Sequence, residues 1–328
     1  MSKIDLSIII VNYKSWEVLA KCIKSFNTWS PSSSYEIIVV DNDSQDNMFN
    51  DFKKKFHEIK LIANKGNYGF SSGCNLGADN AKGEYLLFLN PDVTLTKSNA
   101  IDDMFIFAVA NPDVGITSCR TLNSAGKRER EIAFINPWLT IGWLRTFYKL
   151  AFSRKIAKKF PENKNIWYPE WVAGSVVLIQ KDFFEKIGKW RENIFWMYSE
   201  DPDICLRTTK NGKRIALLRN VQLEHLHGGS SRRNPRTIAI TKSEVVTSSH
   251  VFIQEHTRGL NRLNLHLVIM VNTLISWILR TLITLPLFWN SIFKANLLTL
   301  VSIIKYYLCA LIRSSWKSKR LKNNESKR

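Results

Sequence analysis

Three short runs of aliphatic and β-branched residues constrain the fold of this chain more than any other feature. They are residues 4–11 (Ile-Asp-Leu-Ser-Ile-Ile-Ile-Val), 35–40 (Tyr-Glu-Ile-Ile-Val-Val) and 84–89 (Glu-Tyr-Leu-Leu-Phe-Leu). Each is a continuous apolar stretch rather than a strict alternation, the pattern of strands covered on both faces. Between the first two, Trp16 to Phe26 places its apolar residues at helical spacing. Strand, helix and strand in that order call for right-handed crossovers and a mostly parallel α/β sheet. Ligands of such sheets sit beyond the carboxyl ends of the strands, so the residues just after each run carry the interest.

Those residues are polar. Asn12-Tyr13 follows the first run, Asp41-Asn42-Asp43-Ser44-Gln45-Asp46 the second, and Asn90-Pro91-Asp92 the third. A glycine-rich stretch from Asn64 to Gly77 leads into a helix and offers backbone N–H groups and Lys65 to phosphate. Its spacing matches neither G-x-x-x-x-G-K-[ST] nor G-x-G-x-x-G, which excludes a P-loop and a dinucleotide fingerprint. A plain loop is the alternative. Further on, Glu200-Asp201-Pro202-Asp203 sets its carboxylates behind Phe195, Trp196 and Tyr198 and ahead of Arg207. Pro202 suits the first position of a helix, with Asp201 as its cap. A carboxylate held there is either a general base or only an acidic cap.

The net charge of +19 over 328 residues requires an acidic partner, and nucleic acid, anionic lipid and nucleotide-sugar phosphates all qualify. Five scattered cysteines without C-x-x-C spacing exclude a disulfide framework or a zinc site and suit a reducing cytosol. The apolar run Ile8–Val11 is too short for a signal peptide and reads as a buried strand. Residues 120–170 interleave basic side chains such as Arg145, Lys149 and Lys155 with Trp138, Trp143, Phe147 and Phe152. A stacking nucleic-acid surface, an amphipathic helix at a membrane and a solvated helical hairpin all fit this pattern; the C-terminus favours the membrane. There, Leu263–Trp289 and Leu297–Ile312 form apolar blocks interrupted by Asn264, His266, Asn272, Arg280 and Lys305, before a basic tail. A spanning helix wants about 20 apolar residues with few charges. Helices lying in the interface, with Lys and Arg against anionic lipid, fit better, and one spanning helix is the alternative.

The after-strand acids, the Gly69-Phe70-Ser71-Ser72-Gly73-Cys74-Asn75-Leu76-Gly77 segment, Leu89-Asn90-Pro91-Asp92, Trp171-Val172-Ala173-Gly174-Ser175, the stretch from Tyr198 to Arg207 and His225-Leu226-His227 occur in a fixed order. Together they resemble the family 2 glycosyltransferases of the GT-A fold, most closely the rhamnosyltransferase branch that builds bacterial surface polysaccharides. The resemblance covers roughly residues 4–260. It implies a Rossmann-like GT-A domain over 1–260, with a nucleotide-sugar half (1–119), a basic aromatic insert (120–170) and an acceptor half (171–260). A membrane-associating helical region (261–328) would follow.

The resemblance also implies roles. Asp41, with Asn42 and Asp43 or Asp46, would bind the base and ribose of a dTDP- or UDP-linked sugar, and Asn12, Lys65 and Asn90 would join that side. Asn67, Gly69, Phe70 and Asn75 would shape the wall around the nucleotide. Asp92 would bind Mg²⁺ or Mn²⁺ on the diphosphate, with His225 or His227 closing the site. Asp201 would be the base, Glu200 and Asp203 its rivals, and Trp171, Gly174, Trp196, Tyr198 and Arg207 would meet a lipid-linked saccharide acceptor. One base and no carboxylate nucleophile imply inversion. The expected place is the cytoplasmic face of a bacterial inner membrane, peripheral or monotopic, with no nucleic acid bound. Two positions depart from the family pattern: Asn90 stands for the first acid of D-x-D, and Lys189-Trp190-Arg191-Glu192 for Gly-Phe-Asp-Glu. A membrane-bound nucleotidyltransferase and a basic nucleic-acid-binding protein are the rival readings. His57, His250, His256 and His266 lack metal-like spacing and read as surface or core residues.

Overall fold

The computed structural model describes residues 4–97, 99–129, 135–159, 164–226 and 234–321. The elements run β1 (Leu6–Asn12), α1 (Trp16–Thr28), β2 (Tyr35–Asp41), α2 (Met48–Lys55), β3 (Lys60–Ala63), α3 (Phe70–Asp79), β4 (Tyr85–Leu89), β5 (Val93–Leu95), α4 (Ala100–Ala110) and β6 (Val114–Leu122). They continue with α5 (Gly142–Ala151), α6 (Ser153–Lys159), β7 (Ile166–Trp167), β8 (Val176–Gln180), α7 (Lys181–Lys186), α8 (Glu200–Lys210), β9 (Arg214–His225), α9 (Pro235–His256), α10 (Gly259–Thr284) and α11 (Ser291–Arg313). They group into two compact units. One holds Met1–Ile135, Arg154–Glu192 and Glu200–Ser230; the other holds Asn136–Ser153, Asn193–Ser199 and Ser231–Arg328.

The first unit is a mixed sheet of order β3-β2-β1-β4-β8-β6-β9-β5, with β7 beside β9. The three runs read from sequence are β1, β2 and β4, and with β3 they lie parallel as expected. Antiparallel pairing enters at β8, which runs against β4 and β6, and at β5 and β7, which run against β9. β1 is buried along its whole length because alternate residues enter different cores. Leu6, Ile8 and Ile10 meet α1 and α4 residues such as Ile23, Phe26 and Met104. Ile9 and Val11 meet α3, α7 and α8 through Cys74, Ala78, Phe184 and Ile204.

The glycine-rich stretch is more than a loop. Gly69 is its left-handed turn (φ 92°) and precedes α3, where Gly73 and Gly77 face β1. A Cβ on Gly77 would lie 2.4 Å from Ile9 Cγ2, and one on Gly73 2.7 Å from Val11 Cγ1. Their lack of a side chain lets α3 lie directly on the strand.

The second unit is helical. Asn234 and Thr237 close a capping box at the head of α9, with Pro235 in the first turn. Ile253 of α9 packs with Ile141, Leu265 and Ile269. Beside it lies a buried polar layer: His250 Nδ1 meets His266 Nδ1 at 2.8 Å and His250 Nε2 meets the Tyr307 hydroxyl at 3.1 Å. The Trp316 ring stacks on both imidazoles. His250 and His266 are thus core residues, as their lack of metal spacing suggests.

Candidate active site

The site residues belong to the sheet unit except Trp196, Tyr198 and Ser199, which belong to the helical one. β1 and β2 end in register, Asn12 opposite Asp41. The buried Asp41 carboxylate accepts from Asn12 Nδ2 (2.8 Å), from the Ser44 hydroxyl (2.5 Å) and from the Ser44 N–H (3.1 Å). Such a carboxylate shapes the strand ends: Lys14, Asp43 and Gln45 take left-handed backbone conformations around it. Asn42 ties this edge to the glycine-rich stretch, donating to the Gly69 carbonyl (2.8 Å) and accepting from Asn64 (2.9 Å). Asp46 accepts from the Trp16 indole at 2.9 Å, while Asp43 is half-buried and Lys65 exposed. Asn67 Oδ1 accepts from the Gly69 N–H at 3.3 Å.

The third polar cluster follows β4. The Asn90 N–H donates to the Ser175 carbonyl (3.0 Å), which joins it to the Trp171–Ser175 segment. Pairing of β5 with β9 sets Val93 opposite His225 and brings the buried Asp92 to the imidazole, with Nε2 3.3 Å from Oδ1. Sequence reasoning missed the partner on the other side of that ring. Glu129 Oε2 lies 3.0 Å from His225 Nδ1 and accepts from the Thr121 hydroxyl at 2.7 Å. The turn Asn123–Lys127 carries Glu129 back past Thr121, and Thr121 is in register with Leu223 of β9. Gly126 is a turn signal that could have marked this return; that it brings an acid to His225 depends on the β6–β9 pairing. Burial pushes the His225 pKa down, but hydrogen bonds and charge from Asp92 and Glu129 outweigh it and hold it at about 9. Among the described residues no three His, Cys, Asp or Glu side chains surround one cation position. His227 lies outside the described residues.

The acidic turn opens α8, which begins at Glu200 rather than at Pro202. Pro202 is the third residue of the first turn, where the N–H has no intrahelical partner and its loss is tolerated. Tyr198 and Ser199 precede it with φ of 71° and 63°, consecutive left-handed residues that are not glycine. The three carboxylates then differ. Asp203 is fully buried between two guanidiniums, Arg191 Nη1 at 3.1 Å and Arg207 Nε at 2.9 Å. Arg191, the departure from the family pattern, is therefore half of a buried charge cluster. Arg207, expected at the acceptor, also donates to the Ile187 carbonyl and pins α8 to that turn. Glu200 is buried at the head of the helix.

Asp201 is half-buried and accepts from the Gly174 N–H at 3.3 Å. Burial lifts its pKa to about 6, against the pull of hydrogen bonds from its own N–H and that of Gly174. A Cβ on Gly174 would lie 3.6 Å from Asp201 and 3.7 Å from the Phe70 ring, so these three adjoin. Phe70 packs edge-on against the buried Trp190, whose N–H and C=O are both held by the Asn75 amide (3.2 and 2.8 Å). Asn75 thus positions the wall behind Phe70. Trp171 is half-buried against the same core. Trp196 and Tyr198 belong to the helical unit, where the Trp196 ring is buried under the Arg320 guanidinium at 4.9 Å.

The chain is 30% identical over 226 residues to the low-salt glycan biosynthesis hexosyltransferase Agl10 of Haloferax volcanii, covering 67% of each. It is 23% identical over 215 residues to the rhamnosyltransferase WbbL of Escherichia coli, covering 63% of this chain and 78% of that one. Among solved structures, the mannosyltransferase PcManGT from Pyrobaculum calidifontis, in complex with GDP-Man and Mn²⁺, superposes with a TM-score of 0.55 at 14% identity. That match covers 93% of this chain and 88% of that one, and at such low identity it speaks to the fold. Residues 7–170 match the model of glycosyl transferase family 2. With that match and the Agl10 likeness over two thirds of both chains, the protein belongs to glycosyl transferase family 2 and is a glycosyltransferase.

Proposed function

We propose that the chain moves a sugar, a deoxyhexose such as rhamnose, from a dTDP- or UDP-linked donor to a hydroxyl of a lipid-linked saccharide, with inversion. The product would be a cell-surface polysaccharide intermediate made at the cytoplasmic face of a bacterial inner membrane. The observation that carries this reading is Asp201: half-buried, adjoining Gly174 and Phe70, and with a pKa lifted to about 6. A base with a pKa just below the working pH is ionised and still basic enough to take a hydroxyl proton, a contribution of about 10²–10⁴-fold. In the step, the acceptor oxygen bonds the anomeric carbon as the bond to the diphosphate breaks. The electron pair leaves with the nucleoside diphosphate, and the acceptor proton passes to Asp201. Asp203, neutralised by Arg191 and Arg207, is held away from this role. The rhamnose preference is supported by the likeness to WbbL, and the glycan-building role by that to Agl10.

The donor side would use the edge built by Asn12, Asp41 and Asn42. Asp92 offers a carboxylate oxygen, and His225 would offer its Nε2 once a cation displaces the proton that Asp92 and Glu129 hold on the ring. That pair suits a Mg²⁺ or Mn²⁺ ion that takes its remaining ligands from a diphosphate. Such an ion would stabilise the charge that develops on the leaving group.

The test is a panel of radiolabelled nucleotide sugars, with and without EDTA, assayed with a lipid-linked acceptor fraction for nucleoside diphosphate release. One donor should turn over only with acceptor, and EDTA should abolish turnover until Mg²⁺ or Mn²⁺ is restored. Pyrophosphate release from a nucleoside triphosphate would instead make the chain a nucleotidyltransferase.

A further inference from the structure

The pairing of α10 with α11 is inside out. In a hairpin made for water, large aliphatic side chains fill the seam and polar ones face outward. Here Thr273, Thr281, Ala295 and Thr299 are buried alongside Leu265, Ile269, Ile303 and Tyr307, while Leu267, Ile275, Leu279, Ile283 and Leu311 are exposed. Ile283 is 76% exposed and Thr299 0%. The buried positions recur every four residues on both helices, one stripe on each. Their hydroxyls are satisfied locally: Thr299 donates to the Ala295 carbonyl (2.7 Å) and Thr281 to that of Trp277 (2.8 Å). Thr281, Ala295 and Thr299 at the buried positions nearest the turn, with aliphatic residues outside, suit helices packing in hydrocarbon, where the outer face gains nothing by hiding. Both helices are long and apolar enough for that solvent. The end of the hairpin between them is apolar too, with Phe288 and Trp289 exposed by 63% and 64%.

A second, separate element of the same unit repeats the pattern. Trp143, Phe147 and Leu150 form one exposed stripe on α5, flanked by Arg145 and Lys149. The turn before α5 is tied to the start of α10, through the Trp138 indole on Asn261 Oδ1 (3.2 Å) and Ile141 against Leu265. α5 therefore sits at the end of the hairpin away from Phe288 and Trp289. Charge decides what covers these faces. No acidic residue occurs between Arg258 and Leu321, or between Asn136 and Lys159. A second copy would bring a like-charged surface, whereas anionic lipid complements it.

We propose that the helical unit is a two-part membrane device. The α10–α11 hairpin enters the acyl-chain region with Phe288 and Trp289 leading, and α5 lies in the headgroup layer at its base. This deepens the membrane-side reading above and differs from helices that merely rest on the surface.

The full chain, labelled with an environment-sensitive fluorophore through Phe288→Cys, is mixed with phosphatidylcholine vesicles containing phosphatidylglycerol. The emission should shift to the blue and be quenched by nitroxide on the acyl chain but not by aqueous iodide. High salt should not release the protein. Leu279→Asp with Ile283→Asp should lower vesicle partition by about 100-fold or more, and Phe147→Glu with Leu150→Glu by a smaller factor. Donor turnover in detergent reports folding and should be unchanged in both variants, so failed transfer and failed insertion are read separately. A label quenched by iodide, release by salt, unchanged partition of the Asp variant, or a lipid-free dimer that shields position 288 would overturn the proposal.

Discussion

At the scale of single residues, Asp201, which the sequence ranks above Glu200 and Asp203 as base, stands in surroundings unlike those of Asp203. Asp203 is the ionised member of a buried cluster. Removing Arg207 leaves Asp203 paired to Arg191 alone and frees the Ile187 carbonyl, so Arg207→Met should destabilise the protein by about 1.5–3 kcal/mol in urea titration. Asp201 behaves oppositely. Its folded pKa lies above the unfolded one, so its contribution to stability is present below about pH 4 and lost as pH rises through about 6. Asp201→Asn should therefore be as stable as the parent or up to about 1–2 kcal/mol more stable at pH 8, partial exposure included. The gap should close at pH 4, as thermal melts at the two pH values will show. The same group should give transfer an acidic limb near pH 6, with rate falling below it. Glu129 was invisible in the sequence because only the β6–β9 register brings it to His225. Outer carboxylates of this kind fix a ligating imidazole. Glu129→Gln should weaken Mn²⁺ binding about 10–100-fold by calorimetry in the presence of nucleoside diphosphate.

At the scale of elements, legibility followed how local the signal was. β1, β2, β4 and α1 were plain because fully covered strands and an amphipathic helix write their pattern into adjacent residues. β9 was not: it carries Arg219, Gln222 and Glu224, and the Arg219 guanidinium is accommodated by stacking on Trp167 at 3.8 Å and donating to the Lys164 carbonyl at 3.1 Å. The glycine-rich stretch was half-legible. Its turn at Gly69 could be read, whereas the contact of Gly73 and Gly77 with β1 required knowing which helix face meets the strand. Gly77→Ala should cost about 1–3 kcal/mol through overpacking against Ile9. Equilibrium unfolding measures that loss. The seam of α10 and α11 escaped a reading that weighed only the interruptions at Asn264, His266, Asn272, Arg280 and Lys305, since which residues lie inside depends on how the two helices pair.

At the scale of the whole molecule, the family resemblance read from ordered motifs agrees with the match to glycosyl transferase family 2. Motif order located the edge of the sheet where Asn12, Asp41, Asn42 and Asp92 stand. It could not say which of those side chains hold the strands together and which are left for ligands, because that depends on partners far away in sequence. Asn75 and Arg207 turned out to grip backbone carbonyls, and Asp41 to organise its own loop. Whether Asp201 takes the acceptor proton is decided by one comparison. Asp201→Asn and the parent are assayed together for acceptor-dependent nucleoside diphosphate release and, by calorimetry, for donor binding. Transfer should fall by about 10²–10⁴-fold with donor affinity within about twofold of the parent. Full turnover by Asp201→Asn would contradict that role.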